Sequence, residues 1–160
     1  MIQNGSDTLL TYEELLLEAE NQNLIVKEKP LRNNDGRILG NRIAIRSNML
    51  NSKRACALAE EIGHYHTTTG NILDQSKVEN RKQELHARVW AYNKQIGLSG
   101  IIKAYQYGCR NQAEIADYLD VTETFLSDAI KTYQAKYGLF ATLDNYIIYF
   151  EPLGVLEMYK

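Results

Sequence analysis

The chain has 160 residues, 44% hydrophobic and 24% charged, the balance of a folded globular chain rather than a disordered one. A formal charge of -2 argues against a general polyanion binder. Two lone cysteines, Cys56 and Cys109, exclude a disulfide scaffold or a cysteine-rich zinc finger and fit a reducing cytoplasm.

The first residues show no basic, then apolar, leader pattern, so no signal peptide is expected. The longest apolar runs, Leu15–Leu17 and Tyr146–Phe150, are far too short to cross a bilayer, and no membrane partner is expected. Thr11-Tyr12-Glu13-Glu14 reads as a capping box opening a helix that runs to Asn21. Leu24–Lys29 reads as a strand stopped by Pro30, and Asn33–Gly36 as a turn. Arg37–Arg46 reads as one or two further strands, giving a small antiparallel sheet. Ser52 reads as the N-cap of a helix carrying Ala55, Ala59, Ile62 and His66, ended by Thr67–Gly70. A loop to Lys77 precedes a second long helix, Val78–Gln95. Gly97 and Gly100 read as breaks before a short helix, Ile101–Tyr107. Asn111–Leu119 and Thr122–Tyr137 read as two more helices, closed by Gly138. Tyr146–Phe150 reads as a last strand or extended tail, stopped by Pro152.

Chemistry concentrates in Glu60-Glu61-Ile62-Gly63-His64. Glu60 and His64 are four residues apart, about 5–6 Å between Cβ atoms on one helix face. Two ligands at that spacing can hold one metal ion. Glu61, on the next face, can reach a water beside that ion as a general base. The pattern is that of the zincin motif H-E-x-x-H, with Glu60 in the place of the first His. On the following helix Glu84 shares a stripe with Ala87 and Ala91, where a carboxylate is costly unless paired or metal-bound. Spacing alone leaves a second reading open, in which these are solvated helix charges and His64 a helix-end residue.

Two segments carry a wider likeness: Leu58-Ala-Glu-Glu-Ile-Gly-His-Tyr-His-Thr67 and Asn80-Arg-Lys-Gln-Glu-Leu-His-Ala-Arg-Val-Trp-Ala91. Together they resemble the ImmA/IrrE family of metallopeptidases, in its phage and integrative-element form, over roughly residues 10 to 135. The second segment looks like that family's E-x-x-A-x-x-[FW]-A helix. The resemblance implies an α+β, zincin-like minimal metalloprotease domain over residues 1–98, a small antiparallel sheet packed on helices. A helix-turn-helix-like helical segment would follow at 99–138 and a tail at 139–160. It implies His64 and Glu84 as metal ligands, with Glu60 at the first-ligand position and Glu61 as the catalytic base. The implied cofactor is Zn2+. A Glu-His-Glu set is harder and more anionic than His-His-Glu, so Mn2+ and Fe2+ are alternatives. The implied substrate is a phage or mobile-element repressor, cut in the cytoplasm to release its genes. Two rivals remain: a weak or inactive relative that binds a protein, and a DNA-binding regulator.

Around the site, His66 and Tyr65 are candidates for oxyanion stabilisation, and Asp74 for orienting His64 or for capping the next helix. A surface or packing role is expected for His86, and core packing for Trp90, Tyr105 and Tyr107. Residues 111–138 carry Glu114, Asp117, Asp120, Glu123 and Asp128 against Lys131 and Lys136. Phosphates would repel the acidic start of the second helix, so DNA binding is not expected there.

Overall fold

A computed structural model describes residues 10–67 and 77–159, with the backbone alone described at 77 and 78. The fold is α+β. Helix α1, Tyr12–Asn21, opens on the expected capping box: Thr11 accepts from the Glu14 amide and the Glu14 carboxylate accepts from the Thr11 amide. Strands β1 (Ile25–Lys29), β2 (Gly36–Leu39) and β3 (Arg42–Arg46) follow. The central strand is β3, paired antiparallel with β2 but parallel with β1. The sheet is therefore mixed, not antiparallel. The turn at Gly40-Asn41 makes a hairpin of β2 and β3, and β3 inserts beside β1 because Ile43 and Ile45 bury against the helices.

Helix α2, Asn51–Thr67, starts one residue before Ser52, which sits inside the helix rather than capping it. It buries Ala55, Leu58, Ala59 and Ile62. Helix α3, Lys77–Gln95, lies against it along a stripe of fully buried Ala87 and Ala91. At the crossing a Cβ on Gly63 would drive into the Ala87 carbonyl oxygen. Only glycine allows that approach, and it sets the spacing of the two helices.

Helix α4 spans Gly97–Tyr107, so the two glycines do not break it. Gly97 takes φ +62° at its first residue, and its amide donates to the Tyr133 hydroxyl. Helix α5, Gln112–Leu119, is capped by Asn111. Helix α6, Glu123–Tyr137, is capped by Thr122 and ends at Gly138. Phe125, Leu126 and Ile130 of α6 are buried together with Ile115, Leu119 and Val121 from α5 and the turn between them. Tyr105 and Tyr107, expected in the core, are 43% and 75% exposed, and Tyr107 packs instead on Tyr118.

Residues 139–159 hold more than the single strand or extended tail expected there. Strands β4 (Phe140–Leu143), β5 (Tyr146–Phe150) and β6 (Leu153–Glu157) form an antiparallel meander. Its inner face buries Ala141, Ile148 and Phe150 against α4 and α6. One hydrophobic cluster runs from Tyr12 to Phe150, so the core is continuous across the boundary expected at 98–99. Among the described residues no helix is long and apolar enough to cross a membrane.

Candidate active site

The α2–α3 crossing places the motif residues at one cleft. A cavity of about 760 Å³ is lined by Glu60, Glu61 and His64 from α2 and by Glu84, Arg88 and Tyr92 from α3. The loop Asn33–Asp35 and Gly36 of β2 close one side. Thr122, Thr124, Phe125 and Asp128, from the cap and first turns of α6, close the other.

Two expected ligands meet. His64 Nε2 stands 3.4 Å from Glu84 Oε2. Ligands of one tetrahedral ion, each about 2.0–2.1 Å from it, stand about 3.3–3.4 Å apart. The pair thus has the separation that a shared ion requires. Glu60 lines the same cleft, but among the described residues no three carboxylate, imidazole or thiol groups form a ready cluster. The donor set fits a divalent ion in two positions out of three.

Burial pushes the Glu60 carboxyl up. Arg88 opposes that shift, while Glu84, Asp35 and Asp128 add to it. Burial also pushes Glu61 to about 7, with help from Glu60 and Glu84. The cause is physical: carboxylates share a half-buried cleft and disfavour one another's ionised forms. A Cβ on Gly36 would stand 2.9 Å from Glu61 Cγ, so the glycine leaves room for that side chain beside β2. Cys56 also lines the cleft, but burial pushes its thiol to about 12, so it stays neutral at ordinary pH.

Tyr65 and His66 lie outside the lining of this cleft. Tyr65 is exposed, and His66 stacks on Trp90 with centroids 5.1 Å apart. Trp90 packs against the core edge, with Lys94 Nζ 5.7 Å from its ring centroid. His86 is exposed, as expected. Asp74 lies outside the described residues.

Sequence reasoning missed Arg88, Tyr92 and the α6 wall. Arg88 was within reach of the argument, since it follows Glu84 by four on the same helix face. Thr124 and Asp128 carried no such signal, because only tertiary packing of Tyr92 on Phe125 brings α6 to the cleft. No family model and no curated protein matches the chain.

Proposed function

We propose that this cleft is the active site of a metal-dependent endopeptidase of the ImmA/IrrE kind. Zinc is the favoured ion, with manganese or iron as alternatives, and the substrate is a phage or mobile-element repressor. The observation that carries the reading is the 3.4 Å approach of His64 to Glu84, with Glu61 at the same cleft. A divalent ion held there supplies Lewis acidity to a peptide carbonyl and makes water a better nucleophile. Glu61 takes the proton from the attacking water and passes it to the leaving amide nitrogen. His64 and Glu84 hold the ion, and Glu60 offers the third position. Gly36, on the edge strand of the mixed sheet, leaves room for the Glu61 side chain, which a Cβ there would crowd.

The test is metal content and cleavage together. Protein purified without chelator should hold about one equivalent of divalent metal, as one three-ligand site implies. His64→Ala and Glu84→Ala should lose it. Glu61→Gln should keep it while cleavage of a cognate repressor falls by about 10²-fold or more. Wild-type metal in both ligand variants, or equal cleavage by Glu61→Gln, overturns the reading.

A second reading has its own observation. Arg88 sits in the cleft and acts electrostatically on Glu60. A guanidinium at the cleft can compensate Glu60 without an ion, which suits a non-catalytic relative that binds a protein. Wild-type protein without bound metal, and with no gain in thermal stability on adding zinc, selects this alternative. A DNA-reading role is disfavoured because the start of α6 forms the cleft wall and buries Phe125 and Leu126.

A further inference from the structure

Helix α6 borders a second concavity on another of its faces. Thr124 and Asp128 line the cleft, whereas Ser127, Lys131 and Gln134 line a groove of about 750 Å³. The groove lies between α4, the start of α5, α6 and the β5–β6 turn, and it shares no lining residue with the cleft. Its apolar lining comes from Ile101, Ile115, Ile130, Phe150, Leu153 and Val155, beside polar and charged side chains.

Among the residues lining the groove, two cations stand against one carboxylate. Arg110 and Lys131 line the groove, both are exposed, and neither forms an ion pair among the described residues. The carboxylate present, Glu151, accepts a hydrogen bond from Gln134 Nε2 at 3.4 Å. In a chain with more acidic than basic residues, two unpaired cations beside an apolar floor are a local reversal of sign.

We propose that this groove binds an acidic peptide segment of a partner protein. An apolar side chain sits on the Ile115–Ile130–Leu153 floor, and flanking carboxylates meet Arg110 and Lys131. The floor selects a peptide over nucleic acid, because a phosphate backbone has no aliphatic side chain to bury there. The cations supply orientation and a salt-dependent on-rate. This site is independent of any chemistry in the cleft.

The test uses the full chain and a fluorescein-labelled peptide of about ten residues, long enough to cover the groove, alternating Asp or Glu with Leu or Phe. Saturable binding is expected by anisotropy, weakening with salt. The double variant Arg110→Glu, Lys131→Glu should bind about tenfold or more weakly and should prefer the same peptide with Lys for its acids. Both side chains are exposed, and circular dichroism checks the fold; Arg110→Ala and Lys131→Ala give the same reading with less charge change. A peptide with Ser in place of Leu and Phe should bind weakly in every form. Absent binding, equal affinity in the charge-reversed protein, or equal affinity for the Ser peptide overturns the proposal. Tight binding of labelled duplex that Lys131→Glu abolishes would also overturn it, in favour of a nucleic-acid surface.

Discussion

Glu61 spends stability to stay in the cleft. Its ordinary value is 4.5, and burial with neighbouring carboxylates raises it to about 7. Between those values the folded protein keeps a proton that the unfolded chain has released. Stability is therefore full below the unfolded value, falls as pH rises through this window, and levels off above it. Glu60 is shifted in the same direction and adds to the fall. For Glu61 alone the loss is at most about 3 kcal/mol, reduced by its partial exposure to solvent. With chelator present, urea midpoints of wild type and Glu61→Gln should therefore diverge: the variant gains on wild type as pH is raised from about 4.5 to about 7, and the gap then holds. A gap that stays constant with pH would mean that Glu61 is not held against its charge.

At the scale of elements, the α2–α3 pair is the unit that matters. Gly63→Ala puts a methyl against the Ala87 carbonyl, a backbone atom that cannot step aside. The helices must separate, at a cost of about 1–3 kcal/mol. Metal sites tolerate only about 0.2 Å of drift in ligand distance, so bound metal should fall together with the melting temperature. An unchanged melting temperature and metal content would show that the crossing yields without cost. This pair was largely legible in the sequence. Glu60, Glu61, His64 and Glu84 announced themselves by spacing, and Ala87 and Ala91 by being small. Helix ends were legible too, because Thr11, Asn111, Thr122 and Gly138 act locally. Pairing was not. The parallel match of β1 with β3 depends on which strand fills the gap beside β1. The segments Phe140–Leu143 and Leu153–Glu157 are too short to show alternation, and they become strands only by pairing with β5. Asp128 reaches the cleft through packing of whole helices, which no local spacing encodes.

At the scale of the molecule, the N-terminal helix–sheet part, the helical segment and the C-terminal sheet share one apolar cluster. Cooperative contacts of that kind leave no piece able to melt first. Calorimetric and van't Hoff enthalpies should agree, and far-UV circular dichroism should follow the same transition as calorimetry. Two resolved transitions would mean that residues 99–159 unfold apart from the rest. The stack of His66 on the chain's single tryptophan has a further use. His66 ends the helix that carries His64, and Trp90 lies on the helix that carries Glu84. Indole emission is sensitive to its immediate neighbours, and these belong to both helices at once. Adding zinc to metal-free protein should therefore shift or quench the fluorescence in proportion to occupancy, and Glu84→Ala should abolish the response. A flat titration of protein that demonstrably takes up metal would show that the crossing does not adjust when an ion binds. The chain thus carries its own optical gauge of the proposed metal site, with no label to attach.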